Sequence, residues 1–395
     1  MDLTTVASQL AWPLAVAFAW VLGEVVHRFS GLPRISVYGL VGFVFGAGQL
    51  GLLSAPSGGA VMLLAHIGFG LILFEFGYRI NLGWLRHNPW LAVTGVLEAV
   101  ATFVAVTWLA QAAGMDGLGS LLLGSLAMST SPASVMRVVN EQRSSGQVPE
   151  RTLHLAALNC VLAVFVFKVI VGVWTFQSSG SVWQAVSNSL WLLAMSGLLG
   201  ALFGVAVPGL LRQLGNLSRD ATVAFALAVV LVVALAMAFK LSPVLAALTF
   251  GLVARHRRVA FSQTQRNFGA LGDLLTVVLF VAVSSLLEWQ RVLHGLWLGL
   301  ALVGVRALVK VAATTALAKV SGITWRKGAL TGLALTPQAV FVLLLLEQAR
   351  VIGVDLLDQL AALAAASLVL EILGPIVLQR ALVWARETPE TTERR

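Results

Sequence analysis

The sequence predicts an all-α polytopic membrane protein with about 13 transmembrane helices, arranged as an inverted repeat. Of its 395 residues, 58% are hydrophobic and only 11% are charged, against roughly 25% in an average soluble domain. Apolar runs recur along the whole chain, and two of them are interrupted by proline at matching positions of the two halves. This pattern excludes a soluble enzyme, a disordered chain and a secreted disulfide scaffold. The single cysteine, Cys160, excludes a disulfide within the chain.

Thirteen apolar runs, separated by Gly, Pro and charge clusters, define the predicted spans. They are 7–27, 35–50, 60–78, 89–112, 118–141, 152–175, 182–209, 220–238, 241–255, 268–287, 293–318, 328–348 and 358–384. The second and ninth are shorter than the roughly 20 residues that cross a bilayer, which indicates steep or interrupted helices.

Basic residues concentrate in alternate loops. One set of loops holds two or more Lys or Arg residues each, whereas the other set holds only Lys240, Arg291 and Arg350. Cytoplasmic loops collect Lys and Arg, so we expect the N-terminus outside and the C-terminus in the cytoplasm. The tail, 385–395, is then a short cytoplasmic segment. The net charge of +9 follows from the loops, and no motif for binding nucleic acid accompanies it.

Two proline-containing breaks relate the halves of the chain. Thr130-Ser131-Pro132 interrupts the fifth span, and Thr336-Pro337-Gln338 interrupts the twelfth, 205 residues later. Seven spans separate the two breaks, so the corresponding spans run in opposite directions. A proline inside a span frees backbone groups, which must then be satisfied by protein or by a water-lined cavity. Discontinuous helices at matching positions point to the binding site of a transporter.

Further motifs lie in a fixed order along the chain. They are Gly31-Leu32-Pro33-Arg34, the run Phe69–Phe74 followed by Gly77, the segment Ser129–Val135, Leu335-Thr336-Pro337-Gln338, and Lys310 twelve residues before Gly322. In this order and at these spacings, the sequence resembles the monovalent cation:proton antiporters, the bacterial sodium/proton and potassium/proton exchanger group. The resemblance extends over nearly the whole chain.

The resemblance implies a two-part transporter with two crossed discontinuous helices. Core helices at about 89–175 and 293–384 would move against scaffold helices at about 7–78 and 182–287, exposing the site to each side in turn. It further implies a homodimer in the inner (plasma) membrane that exchanges a monovalent cation for protons. The sequence contains no Walker motif, HExxH or nucleophile elbow, so we expect no enzymatic activity, no cofactor and no metal centre.

The sixth span departs from the pattern of the family. The family carries its cation and protons on an aspartate in an Asp-Asp or Asn-Asp pair, and the aligned pair here is Asn159-Cys160. A thiol is a soft ligand and a poor one for sodium, because hard cations favour oxygen. The resemblance then leaves Asn159 and the unwound backbone around Thr130, Ser131 and Thr336 to supply oxygen ligands. Pro132 and Pro337 would hold the breaks open.

Two cations and two carboxylates inside the predicted core complete the candidate site. Arg306 and Lys310 are four residues apart, so they share a helical face; the first would orient or neutralise a carboxylate, and the second would compete with the bound ion. Glu98 lies mid-span in the fourth helix and Glu371 mid-span in the thirteenth. Ionisable residues within a membrane are functional candidates, and either carboxylate could pair with these cations or carry a proton.

Three functions remain open on the sequence alone. The first is antiport of protons against sodium or potassium. The second is transport of another solute, such as an organic anion, because Arg306 and Lys310 lack the usual aspartate. The third is a scaffold or sensor that no longer transports, because Cys160 replaces the ion-binding carboxylate.

Overall fold

The structure is a computed structural model that describes residues 3–54, 60–175, 182–213, 221–256, 264–338 and 361–389. Every regular element within these residues is a helix, numbered here in chain order. They are α1 (Leu3–Ser30), α2 (Arg34–Phe45), α3 (Ala60–Arg79), α4 (Leu82–His87), α5 (Pro89–Ala112), α6 (Gly117–Ala127), α7 (Pro132–Glu141), α8 (Gln147–Thr175), α9 (Val182–Gln213), α10 (Ala221–Ala238), α11 (Pro243–His256), α12 (Thr264–Ser284), α13 (Trp289–His294), α14 (Leu296–Ala316), α15 (Trp325–Ala334) and α16 (Ala361–Ala385).

The spans predicted from the sequence correspond to helices of the structure. Within the described residues, nine segments are long and apolar enough to cross a membrane, and three shorter apolar helices accompany them. The predicted span 89–112 coincides with α5, whereas the fifth span is divided into α6 and α7. The second half of the twelfth span lies outside the described residues. The all-helical fold class is therefore confirmed, and the count of 13 stays a prediction.

The first break is a short non-helical segment that is capped on its far side. Residues 129–131 leave the helical conformation between α6 and α7. The Ser131 hydroxyl accepts a hydrogen bond from the Ser134 amide at 3.1 Å, and Pro132 occupies the first position of α7. Serine at the N-cap and proline at the first helical position are the preferred start of a helix. The local sequence thus ends one half-helix and begins the next.

The chain divides into two compact units. The first unit comprises Met1–Ser57, Trp84–Val171 and Phe280–Arg395. Within it α14 packs against α5, α15 and α16, and α5 packs against α6. Glycines permit these close approaches. A Cβ at Gly332 of α15, for example, would lie 2.5 Å from the Val311 Cα of α14. Both helix breaks and every candidate site residue belong to this unit.

The second unit comprises Gly58–Gly83 and Gly172–Leu279. Its core is apolar, and the rings of Phe74 and Phe250 lie 4.6 Å apart at its centre. The helices α3 and α11 cross closely, because a Cβ at Gly251 would lie 2.0 Å from the Phe74 carbonyl oxygen. The predicted division into moving core and scaffold stays a prediction, and these two units have different boundaries from it.

Candidate ion-binding site

Glu98 is the centre of a buried polar group in the first unit. It lies on α5 with none of its surface exposed. Its Oε1 forms an ion pair with Lys310 Nζ of α14 and accepts a hydrogen bond from it. The same oxygen accepts a hydrogen bond from the Thr102 hydroxyl at 3.2 Å. Its Oε2 accepts a hydrogen bond from Asn159 Nδ2 of α8 at 2.8 Å. A buried carboxylate needs such partners, because an isolated charge in an apolar interior is very costly.

Small residues bring the three helices of this group together. Gly95 lies on α5, three residues before Glu98, and a Cβ there would be 2.6 Å from the Leu158 Cδ2 of α8. Alanine in this place would therefore have to displace the Leu158 side chain. Because Leu158 directly precedes Asn159, the close approach at Gly95 places the amide within reach of the carboxylate.

The Asn159 amide nitrogen donates two hydrogen bonds, whereas its amide oxygen has no partner among the described residues. Its Nδ2 donates to Glu98 and also to the Thr130 hydroxyl at 3.3 Å. Its Oδ1 is buried and has no hydrogen-bond partner among the described residues. Exchanging the two amide atoms would turn an oxygen toward the carboxylate, so this orientation is the favourable one. A buried carbonyl oxygen left free beside a carboxylate is suited to bind a cation.

Lys310 occupies a position that a cation could also occupy. Besides the ion pair with Glu98, its Nζ donates to the Met128 carbonyl at 3.2 Å. An ion that replaced the ammonium group would meet one carboxylate oxygen and one backbone oxygen of the first break. Both are ligands of the type that hard cations prefer. Lys310 is therefore placed to compete with a cation for Glu98.

Cys160 lies against the backbone of the first break. Its thiol is buried and donates a weak hydrogen bond to the Thr130 carbonyl at 3.1 Å. The sulfur therefore satisfies a backbone oxygen that the break has freed. In this geometry the thiol is a hydrogen-bond donor to the backbone of the first break.

Arg306 binds backbone carbonyls of both breaks. It is fully buried on α14, and its guanidinium donates to Ala127 O at 2.9 Å and Ser129 O at 2.6 Å. It also donates to Thr336 O and, at 3.3 Å, to Leu335 O. Within the described residues Arg306 forms no ion pair with a carboxylate, so its predicted role of orienting or neutralising one stays a prediction. Carbonyl oxygens at two helix C-termini carry partial negative charge, and they take the place of the acid.

The predicted oxygen ligands at the breaks differ in where they point. Thr130 donates its hydroxyl to Leu335 O at 3.2 Å and lies beside Asn159. The Ser131 hydroxyl caps α7, and the Thr336 hydroxyl donates to Leu333 O at 2.5 Å. Of the three, only Thr130 reaches the group around Glu98.

A backbone hydrogen bond joins the two breaks directly. The Ser131 amide donates to Pro337 O at 2.9 Å.

Glu371 lies apart from the group around Glu98. Its Oε1 accepts a hydrogen bond from the Ser284 hydroxyl at 2.5 Å, and it forms no salt bridge with a described residue. Lys310 therefore pairs with Glu98 and not with Glu371, the two candidates that the sequence left open.

Two members of the group were missed in the sequence. Thr102 follows Glu98 by four residues, and its hydroxyl donates to the Glu98 carbonyl at 2.8 Å as well as to the carboxylate. The spacing of four places both on one helical face, so this signal was present. Met128 contributes only its backbone carbonyl oxygen, and every residue has one, so the sequence could not predict this contact. Within the described residues, no three His, Cys, Asp or Glu side chains are grouped as for a metal centre.

Comparison with known proteins assigns a family to this chain. Residues 14–384 match the model of the family described as sodium/hydrogen exchanger, transmembrane. The chain belongs to the sodium/hydrogen exchanger family. This family is a class of membrane transporters, so the chain is a multi-pass membrane protein whose activity is monovalent cation:proton antiport.

Solved structures share the fold of this exchanger. The sodium proton antiporter MjNhaP1 of Methanocaldococcus jannaschii at pH 8 aligns with a TM-score of 0.67 and 17% identity, over 96% of this chain and 97% of that one. An electron-microscopy structure of the same antiporter aligns with a TM-score of 0.71 and 16% identity, over 98% and 97%. At this identity the likeness shows the fold alone and assigns no transport role to any residue of this chain.

Proposed function

We propose that Glu98 is the carboxylate that binds the cation, and that the cation is exchanged for a proton carried by Lys310. Glu98 would take the role that the family gives to the position of Cys160. The observation that carries this proposal is the buried contact of Glu98 with Lys310 and Asn159, whose Oδ1 lacks a partner among the described residues. A carboxylate with a competing cation and a free carbonyl oxygen has what an exchange site requires.

The exchange itself is a replacement of one positive charge by another. A dehydrated sodium or potassium ion enters between Glu98 and Met128 O and displaces the Lys310 ammonium group. Lys310 then releases a proton, because a second positive charge in this buried space is unfavourable. When the cation leaves, Lys310 takes up a proton and pairs again with Glu98. One proton thus moves for each cation, and charge is conserved at the site.

Alternating access would couple this exchange to the two sides of the membrane. In the conformation described, Glu98, Asn159 and Lys310 are all fully buried, so the site is occluded. Exposure to one side and then the other requires the helices that bear the site to move. The links between the two breaks, such as Ser131 N to Pro337 O, would keep the site intact during that movement.

Proton flux in proteoliposomes tests the assignment of Glu98. The purified protein is reconstituted with a pH-sensitive dye inside, and sodium, potassium, lithium or chloride salts are added in turn. We expect the dye to respond to a cation and not to chloride. Glu98→Gln should lower the rate at least tenfold, and Asn159→Ala should weaken the apparent affinity for the cation.

Glu288→Gln is the matched control, because Glu288 pairs with Arg291 at the surface and its side chain is 48% exposed. Its rate should equal that of the wild type. Full exchange by Glu98→Gln would overturn the role of Glu98. If the wild type gave no dye response with any of these ions, the purified chain would not be an antiporter for them.

The alternative of an organic anion receives no support from the site. Lys310 is neutralised by Glu98, and Arg306 is engaged by carbonyls of both breaks. Little positive charge remains to attract an anion. The scaffold alternative is equally weakened, since a buried carboxylate replaces the one that Cys160 lacks.

Orientation and assembly complete the proposal. The distribution of Lys and Arg among the loops supports an outside N-terminus and a cytoplasmic C-terminus in the inner membrane. The family resemblance supports a homodimer. Tags at each end, probed for accessibility in sealed vesicles of known sidedness, test the orientation, and mass measurement of the protein in detergent tests the dimer.

A further inference from the structure

Glu371 is a second buried carboxylate that the exchange at Glu98 does not use. It lies on α16 and is 7% exposed. Its recorded partner is the hydroxyl of Ser284, which donates to Oε1 at 2.5 Å. No Lys, Arg or His of the described residues forms an ion pair with it. Glu371 thus differs from Glu98, which has an ammonium group, an amide and a hydroxyl around it.

Glycine packing encloses the Glu371 carboxyl group between three helical segments. A Cβ at Gly39 of α2 would lie 3.1 Å from both Cγ and Oε1 of Glu371. One turn further, a Cβ at Gly42 would lie 2.4 Å from the Val281 carbonyl oxygen of α12. The Ser36 hydroxyl donates to the Ile372 carbonyl at 2.8 Å. A side chain at residue 39 would therefore press on the carboxyl group of Glu371.

Among the described residues, no charged side chain of the helices that pack against α16 forms an ion pair with Glu371. On α14, Lys310 pairs with Glu98 and Arg306 binds backbone carbonyls. On α7, which carries Arg137 and Glu141, the Glu141 carboxylate pairs with Arg34.

On α2 the charged residue is Arg34, which is engaged by Glu24 and Glu141, and Tyr38 is the other titratable group. On α16 the other charged residue is Arg380, which is exposed, and the segment 280–284 of α12 has none. One hydroxyl does not compensate the desolvation of a carboxylate. The environment therefore favours the uncharged, protonated form of this group.

The helix that bears Glu371 also touches the second break. Gly374, three residues further along α16, is so close to Pro337 that a Cβ there would lie 2.8 Å from its Cα. Residues three apart lie on neighbouring parts of one helical face. A rearrangement at Pro337 during transport would therefore shift α16 where it holds the carboxyl group, and would change the access of water to it.

We propose that Glu371 is a second proton-binding site, which loads and releases a proton in each transport cycle, in addition to the proton exchanged at Glu98. This inference rests on the proposed function. Its consequence is that one further proton is moved for each cation. With one proton from the Glu98–Lys310 pair, the exchange moves net charge across the membrane.

The exchange ratio tests the proposal. In proteoliposomes, the pH gradient that stops net flux against a fixed cation gradient gives the number of protons for each cation. We expect the wild type to move two, and to respond to an imposed membrane potential. Glu371→Gln keeps the shape of the protonated acid, so it should still transport, but with one proton fewer and without response to the potential. An unchanged stopping gradient in Glu371→Gln would overturn the proposal while leaving Glu98 in its role.

Infrared spectroscopy of the purified protein gives a readout that does not need transport. The wild type should show the carbonyl band of a protonated carboxylic acid that is missing in Glu371→Gln. Ser284→Ala keeps the carboxyl group and removes its donor, so it should move the band. Ser285→Ala is the matched control, because its hydroxyl donates to Ala282 O at 2.7 Å and not to Glu371.

The absence of that band, or its presence in Glu371→Gln, would overturn the proton-binding site whether or not exchange is measured. If the wild type showed the carbonyl band but no flux with any cation, the result would count against the proposed function. It would also count against the coupling of Glu371 to transport. The two failures are thus distinguished.

Discussion

The positive charge of Arg306 lies against backbone carbonyl oxygens of both helix breaks. Its guanidinium lies against the carbonyl oxygens of Ala127 and Ser129 at one break and of Leu335 and Thr336 at the other. Two helices end there, and their freed carbonyls would repel one another. A planar group with five donors can serve both ends, whereas an ammonium group has three donors around one point. Arg306 is therefore a structural cation, and Lys310 is the cation that the proposed exchange at Glu98 uses.

Replacing Arg306 tests this role in the folded state. Arg306→Lys keeps the charge, but its ammonium group cannot reach both breaks, so buried carbonyls lose their donors. Since a hydrogen bond to a charged group contributes about 1.5–3 kcal/mol, we expect a loss of stability of about 3 kcal/mol or more in thermal unfolding in detergent.

Arg326→Lys is the comparison, because Arg326 donates to Trp384 O at an exposed position. It should change stability little. Equal unfolding temperatures for Arg306→Lys and the wild type would contradict the bridging role.

Cys160 provides a second prediction about a single residue. Its thiol donates to the Thr130 carbonyl, and a serine hydroxyl can do the same. We therefore expect Cys160→Ser to keep the exchange rate within about twofold of the wild type, measured by dye flux. Asn159→Ala should weaken the apparent cation affinity in the same preparation. A loss in Cys160→Ser as large as that in Asn159→Ala would make the sulfur part of the cation site.

The broken helices are held together by a small number of direct bonds. Ser131 N donates to Pro337 O at 2.9 Å, and the Thr130 hydroxyl donates to Leu335 O at 3.2 Å. Each break therefore satisfies part of the backbone that the other exposes. In a membrane no water is available for these groups unless a cavity admits it, which explains why the two breaks lie against each other.

Close packing of α14 on α15 sets the position of Lys310. A Cβ at Gly332 would lie 2.5 Å from the Val311 Cα and 2.8 Å from the Lys310 carbonyl oxygen. Gly332→Ala should therefore push α14 away and move Lys310 from Glu98. We expect a destabilisation of about 1–3 kcal/mol, typical of overpacking, and slower exchange, measured by thermal unfolding and dye flux.

Gly304→Ala on α14 is the matched control, because no atom lies within 4 Å of its Cβ position. Alanine there should be neutral or stabilise by about 0.5–1 kcal/mol. If both variants behave alike, the contact at Gly332 does not set the position of Lys310.

At the scale of the molecule, the segment after α16 ties the first unit together. The Glu387 carboxylate accepts hydrogen bonds from the amides of Gln147 and Val148, at 3.2 and 2.8 Å. It also pairs with Lys327 at 2.8 Å. One side chain therefore caps α8, which carries Asn159, and contacts α15, which leads to the second break.

Glu387→Gln tests this tie. The amide keeps an oxygen acceptor but loses the charge that favours the N-terminus of α8 and the pair with Lys327. The lysine side chain is 32% exposed, so solvent screens much of the pair. We expect a loss of about 1 kcal/mol, seen in thermal unfolding and reduced at high salt. Glu288→Gln should lose less, and a larger effect there would show that surface charge alone explains the change.

Sequence alone determined the fold class and the location of the breaks. The spans follow from apolar runs of membrane length, because lipid requires helices whose backbone bonds are internal. Pro132 and Pro337 mark the breaks because proline cannot continue the hydrogen bonding of a helix. The same local rules identified Glu98, Glu371, Arg306 and Lys310 as ionisable groups that would need partners.

Only the tertiary structure decided which partners those groups have. Lys310 pairs with Glu98 across 212 positions of the chain, and Asn159 reaches Glu98 across 61. Arg306 turns to carbonyl oxygens, which every residue has and no residue type reveals. Glu371 meets Ser284 because Gly39 leaves room for its carboxyl group. Periodicity fixes the face of a helix on which a side chain lies, but the face that meets it depends on how helices distant in sequence pack.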